Sequence, residues 1–194
     1  MLEVDGMNNY FWINLITLGA LLSGCSMPNT YDDPHDPYAY GLRWFDRGRY
    51  DLSVRYWDPL VAKGDCDAEY RVGLLYFFGR GKPKDHEKAL ELWLKAANGN
   101  HPKAQFALGD LYYQKETVTF HDCKTCGIQQ DLVQAYVWYK LSNKAARYDG
   151  ERKYAETILK SISDEMSSEQ LTQSETILSK WKPMPQDCKP RNWW

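Results

Sequence analysis

The feature that most constrains this chain is an internal repeat with a period of 36 residues. The stretch from Ala68 to Tyr76 and the stretch from Ala104 to Tyr112 match at their alanine, glycine, leucine and tyrosine positions. Repeats of this length, each a pair of helices, are typical of a solenoid, because one pair cannot bury its apolar side without a stacked neighbour.

Each repeat is predicted to contain a helix A and a helix B. In helix A, apolar residues follow Ala68 at the i+4, i+7 and i+8 positions, which form one stripe on a helix. A glycine recurs inside this helix, as Gly73 and Gly109, although glycine there costs roughly 1 kcal/mol relative to alanine. Its recurrence predicts a close approach between two helices.

The segment from Gly79 to Pro83 is predicted to end helix A, because glycine and proline both break helices. Asp85 is predicted to cap the start of helix B. Helix B carries the matching apolar stripe, which consists of Ala89, Leu92, Trp93, Ala96 and Ala97.

Together these positions give A-x3-LG-x-LY followed by G-x-G-x-P-x-D-x3-A-x3-W-x2-AA-x-G, which resembles the Sel-1-like repeat, a relative of the tetratricopeptide repeat. The resemblance covers residues 38–182 and implies an all-α fold, an α/α solenoid of helix-turn-helix repeats. We expect a scaffold that binds another protein. It is not expected to be an enzyme or to need a cofactor or metal, because no G-x-S-x-G or H-E-x-x-H motif and no phosphate-binding glycine-rich loop occurs. The pattern is carried by Ala68, Gly73, Leu75, Tyr76, Gly79, Gly81, Asp85, Ala89, Trp93, Ala96, Ala97 and Gly99.

About three repeats are expected, followed by a closing pair of helices. The first repeat is shorter, and the third has an insertion of about ten residues before its helix B, which begins at Asp131. Ser167 and Gln170 form a predicted capping box that opens the last helix. The helix before it, over residues 150–166, places four residues on one side: Tyr154, Ile158, Ile162 and Met166.

The N-terminal segment predicts a lipid anchor. The apolar run from Tyr10 to Leu22 is too short to cross a bilayer of roughly 30 Å as a helix, and it reads as a secretory signal. The adjoining Leu22-Ser23-Gly24-Cys25 is similar to the lipobox of bacterial lipoproteins, which implies acylation of Cys25 and removal of residues 1–24. One departure is that no Lys or Arg precedes Arg43, and translation could start at Met7.

The same resemblance implies a location. In lipoproteins of Gram-negative bacteria, an aspartate after the acylated cysteine favours the inner membrane, and here that residue is Ser26. We therefore expect a chain anchored in the outer membrane and facing the periplasm. Residues 25–37, rich in Pro and Asp, are predicted to be a flexible tether.

Four further cysteines allow three pairings, and an exported protein is expected to form disulfides. We predict a bridge between Cys123 and Cys126 in the inserted turn, and a bridge between Cys66 and Cys188. Two other readings of the turn remain open. Cys123-x-x-Cys126 could be a thiol-redox pair, or the two cysteines could bind zinc with His121.

A partner-binding groove is predicted from aromatic residues that recur seven apart on helix A. Its members are Tyr70, Phe77, Phe106 and Tyr113, flanked by Arg71, Asp110 and Glu69. Aromatic residues are common anchors at protein interfaces. The alternative is that these aromatics pack between adjacent helices.

Two remaining features concern the partner. The net charge is -2 and no long basic run occurs, so nucleic acid is not expected as a ligand. The C-terminal tail, residues 183–194, ends in Trp193-Trp194. These two indoles could fold onto the groove, insert at a lipid surface or dock on the partner.

Overall fold

The computed structural model describes residues 36–114, 127–146, 148–184 and 188, and the regular structure in these residues is entirely α-helical. No helix among them combines the length and the apolar character that crossing a bilayer requires. The helices are α1 (Pro37–Asp46), α2 (Tyr50–Val61), α3 (Cys66–Phe78), α4 (His86–Asn98), α5 (Pro102–Tyr113), α6 (Leu132–Ala145), α7 (Asp149–Glu165) and α8 (Ser168–Lys180).

The helices stack as a solenoid of three pairs, α1 with α2, α3 with α4 and α5 with α6, and each helix from α1 to α6 packs against the next one along the chain. The closing helices differ from a fourth pair, because α7 and α8 both pack against α6. The predicted all-α solenoid is confirmed.

Aspartate side chains cap the first residues of α3, α4 and α6. Asp65, Asp85 and Asp131 each accept a hydrogen bond from the backbone N–H three residues later, at 2.9–3.0 Å. Such caps satisfy donors that have no partner inside the helix. The predicted capping box at α8 is also present: Ser167 Oγ accepts from the Gln170 N–H at 3.2 Å, and the Gln170 side chain accepts from the Ser167 N–H at 2.9 Å.

An aromatic ring of helix B packs directly on a glycine of helix A in every repeat, and this contact explains the recurring glycine. A Cβ added at any of the three glycines would collide with the ring. The Trp57 indole N–H donates to the Tyr38 carbonyl at 3.2 Å, and the Trp93 N–H donates to the Tyr70 carbonyl at 3.1 Å. The three pairs are Gly41 with Trp57, Gly73 with Trp93, and Gly109 with Tyr139.

The third repeat replaces the tryptophan with Tyr139, which is fully buried. Its hydroxyl donates to the carboxylate of Asp110, which is also fully buried. Burial and the neighbouring Asp110 carboxylate raise the pKa of Tyr139. The polar side chain of Asp110 is tolerated there because it is hydrogen-bonded inside the core.

The glycine contact gives a stability prediction. We expect Gly73→Ala to lower the free energy of unfolding by about 2 kcal/mol, because the new methyl group overpacks the site against Trp93. Chemical denaturation, monitored by circular dichroism, measures the free energy of unfolding of the wild-type chain and the variant.

Gly150 provides the matched control, since it is also helical but has open space around an added Cβ. Gly150→Ala should leave stability unchanged or raise it by up to about 1 kcal/mol. An equal response of the two variants would contradict the proposed role of the glycine contact.

Candidate functional site

The structure separates the residues predicted to form one groove. Phe77 and Tyr113 lie in the core with 6% and 3% of their surface exposed, and Asp110 is fully buried. Glu69, predicted to flank the groove, is buried as well. The groove prediction is therefore wrong for these residues, and the packing alternative holds for the two aromatics.

The reason is that residues from neighbouring elements cover the far end of helix A. His86, the first residue of α4, lies against the Phe77 ring with 4.9 Å between ring centroids. Tyr113 donates from its hydroxyl to Glu165 Oε1 at 2.9 Å, at the end of α7. A seven-residue spacing places two residues on one side of a helix, but it does not reveal which of them a later element covers.

The other predicted aromatics, Tyr70 and Phe106, line a pocket of about 230 Å³ at the opposite end of helix A. The Phe106 ring stacks on Tyr154 of α7, with centroids 5.6 Å apart and an interplanar angle of 27°. Four helices form the pocket: α3, α5, α6 and α7. Its lining residues are Tyr70, Pro102, Lys103, Phe106, Ser142, Glu151 and Tyr154.

Tyr154 does not take the inward place predicted for it beside Ile158, Ile162 and Met166. Those three residues are buried, whereas Tyr154 is 45% exposed at the rim of the pocket. It lies near the start of α7, where its ring reaches Phe106 of α5 instead of the core between α6 and α7. The apolar spacing within α7 could not show this, because it does not include the position of α5.

Two cations edge the aromatic rings. The Arg71 guanidinium lies over the rings of Phe45 and Tyr70, 5.4 Å and 5.9 Å from their centroids. Lys103 lines the pocket, and burial together with the charge of Arg71 lowers the pKa of its ammonium group. We call the surface formed by Tyr70, Phe106, Tyr154, Arg71 and Lys103 the aromatic face. Sequence reasoning missed Lys103 and Tyr154.

A disulfide lies beside this surface. The structure joins Cys66, the first residue of α3, to Cys188, with 5.4 Å between their Cα atoms. Cys188 Sγ packs on Gly99, where a side chain would collide with it. The predicted Cys123–Cys126 pair, His121, Cys25 and Trp193-Trp194 lie outside the described residues. Within the described residues, no cluster of metal-binding side chains occurs.

These features define the class of protein: an α/α solenoid, in which residues of α3, α5 and α7 form the aromatic face. The sequence model of the Sel1 repeat matches residues 66–101 and 102–146. The first match begins with α3 and the second with α5. Residues 66–101 and 102–146 therefore match the Sel1 repeat, which agrees with the resemblance inferred from the sequence over these residues.

Two curated relatives share parts of the sequence. The chain is 39% identical over 67 residues to the ERAD-associated E3 ubiquitin-protein ligase component HRD3A of Arabidopsis thaliana, an alignment that covers 34% of this chain and 10% of that protein. It is 27% identical over 143 residues to the chitin synthase regulator SKT5 of Saccharomyces cerevisiae, with coverage of 73% and 18%. The chain thus spans less than a fifth of either relative.

Two crystal structures share the fold. The protective antigen c5321 of uropathogenic Escherichia coli has a TM-score of 0.60 at 22% identity, covering 90% of this chain and 33% of that one. A Sel1 repeat protein of Oxalobacter formigenes has a TM-score of 0.54 at 23% identity, covering 76% and 55%. Both similarities establish the solenoid architecture.

One buried acid departs from the regular repeat. Glu69 has 2% of its surface exposed, and its Oε2 has no hydrogen-bond partner among the described residues. The equivalent residue one repeat later is Gln105, whose amide donates to the Ala97 carbonyl at 3.1 Å. Burial raises the pKa of Glu69 from 4.5 to about 7. The nearby charge of Lys95 lowers this pKa, but its effect is smaller than that of burial.

This raised pKa predicts a pH-dependent stability. Between pH 4.5 and about 7 the folded chain holds a proton on Glu69 that the unfolded chain has lost, so stability falls as the pH rises through this range. Glu69→Gln should remove the effect. We expect it to raise the free energy of unfolding by about 1–2 kcal/mol at pH 8 and to change it little at pH 5.

Urea denaturation at both pH values measures the difference. Glu156→Gln, at an exposed position on α7, is the control and should give the same small change at pH 5 and pH 8. If Glu69→Gln also changes stability equally at the two pH values, ionisation of the buried carboxyl is not the cause.

Proposed function

We propose that this chain is a non-catalytic scaffold that binds another protein through the aromatic face. The observation that carries the proposal is the pocket between Tyr70, Phe106 and Tyr154, with Arg71 and Lys103 at its edge. Tyrosine and arginine are among the residues that contribute most to binding energy at protein interfaces. Rings held by neighbouring helices also lose little freedom when a partner binds.

The relatives support a role exerted on another protein. HRD3A is a component of a ubiquitin-protein ligase, and SKT5 is a regulator of chitin synthase. Each of these names describes a protein that works with an enzyme. By analogy, the partner of this chain is another protein of the compartment in which it resides.

We further propose that this compartment is the bacterial cell envelope, with the chain anchored in the outer membrane and facing the periplasm. The lipobox-like Leu22-Ser23-Gly24-Cys25 supports an acyl anchor on Cys25 after removal of residues 1–24. The Cys66–Cys188 disulfide supports an oxidising compartment, since such bonds rarely persist in the cytosol. Residues 25–37 would then separate the lipid from the solenoid over residues 38–182, and residues 183–194 would form the tail.

Site-specific photocrosslinking tests the binding face. With p-benzoylphenylalanine in place of Tyr154, irradiation of cells should give one discrete adduct with a partner protein. The same residue in place of Phe78 is a matched control, because Phe78 is also aromatic and has 44% of its surface exposed, against 45% for Tyr154. It should not give that adduct.

Adding Phe106→Ala to the Tyr154 variant should lower the adduct yield about tenfold or more, as expected for loss of an anchoring side chain. Equal adducts from both positions, or a yield that Phe106→Ala leaves unchanged, would contradict binding through the aromatic face.

Labelling with a palmitate analogue tests the anchor. The wild-type chain should incorporate the label and fractionate with the outer membrane, because several acyl chains give firm anchoring. Cys25→Ser should remain unlabelled and be lost from that fraction, whereas Cys123→Ser should behave as the wild type. An unlabelled wild-type chain would rule out lipid attachment.

A further inference from the structure

The pocket of the aromatic face has the shape and chemistry to receive a flat aromatic side chain. Tyr70, Phe106 and Tyr154 form its walls, and the last of these remains 45% exposed. Aromatic rings favour offset-stacked or edge-to-face neighbours. Lys103 and Glu151 also line the pocket, so a ring that enters it meets one ammonium group and one carboxylate beside the aromatic walls.

The disulfide brings the tail of the chain close to this pocket. Cys66 lies four residues before Tyr70 on α3, which is about 6 Å along the helix axis. Cys188 packs on Gly99, three residues before Pro102 of the pocket. Met184, four residues before Cys188, is also held beside α4, because its N–H donates to the Asn98 carbonyl at 2.8 Å.

The length of chain after Cys188 is sufficient to reach the pocket. Trp193 follows Cys188 by five residues, which can extend over about 17 Å. The segment carries two cations, Lys189 and Arg191, before its two tryptophans. A tethered segment of this length also has an effective concentration in the millimolar range at a nearby site.

We propose that the segment Lys189 to Trp194 docks its tryptophans in the pocket between Tyr70, Phe106 and Tyr154, and that the partner protein has to displace it. The aromatic face is then occupied by its own chain when no partner is bound. The partner segment must present an aromatic side chain that competes with the tail. Docking of the tail does not depend on the existence of the partner, so the two proposals can fail separately.

The test uses the full-length purified protein with p-benzoylphenylalanine in place of Tyr154. Irradiation should give an intramolecular crosslink to the peptide that contains Trp193 and Trp194, identified by mass spectrometry. The same photoreactive residue in place of Phe78, on the same helix as Tyr70 but at its other end, should not crosslink to the tail.

Two variants distinguish docking from random contact. Replacing both tryptophans with alanine should lower the yield of tail crosslink at least fivefold. Cys188→Ser should lower it as well, because the anchor beside the pocket is lost. Three outcomes would each overturn the proposal. The crosslinks could form between two copies of the chain, the yield could be unaffected by the tryptophan substitutions, or the photoreactive residue at position 78 could label the tail equally.

The cellular experiment separates this proposal from the proposed function. If the tail competes with the partner, the alanine substitutions at Trp193 and Trp194 should raise the yield of the partner adduct from Tyr154 at least twofold. A partner adduct that forms without any tail crosslink in the purified protein refutes docking of the tail and leaves partner binding intact. A tail crosslink in the purified protein without a partner adduct in cells supports docking of the tail and contradicts partner binding through the aromatic face.

Discussion

The contact on which this structure depends is the packing of one aromatic ring from helix B against a bare glycine in helix A. It sets how closely the helices of a pair approach, because any side chain at Gly73 would meet the Trp93 indole. In the first two repeats the indole N–H also satisfies a backbone carbonyl of helix A. The same contact therefore fixes both the separation of the helices and their relative position along their axes.

The third repeat keeps the glycine but changes the ring, and the change connects the core to the closing helices. Tyr139 packs on Gly109 and bonds to the buried Asp110, while its ring also meets Phe106 edge-on at 5.1 Å between centroids. Phe106 in turn stacks on Tyr154 of α7. The aromatic face thus rests on the core contact of the third repeat, which holds its rings in place.

The sequence was sufficient to predict the fold because the solenoid depends on short-range, repeated constraints. The spacing of Trp57 and Trp93, the recurring glycines and the capping aspartates are each visible within one repeat. The surface was harder to predict, since exposure depends on contacts between distant elements. Phe77 is covered by His86, and Tyr113 by the end of α7, whereas Tyr154 stacks on Phe106 and stays partly exposed. None of these contacts has a signal in local periodicity.

The Cys66–Cys188 bond has a consequence for how the repeats hold together. In an open solenoid each repeat contacts only its neighbours, so either end can peel away by itself. Here a disulfide between cysteines 122 positions apart in the sequence closes a covalent ring that includes every helix from α3 to α8. The bond lowers the chain entropy that the helices inside the ring gain when they open, whereas α1 and α2 lie outside it. Fraying should therefore start at the first pair of helices, and the part that carries the pocket should open last.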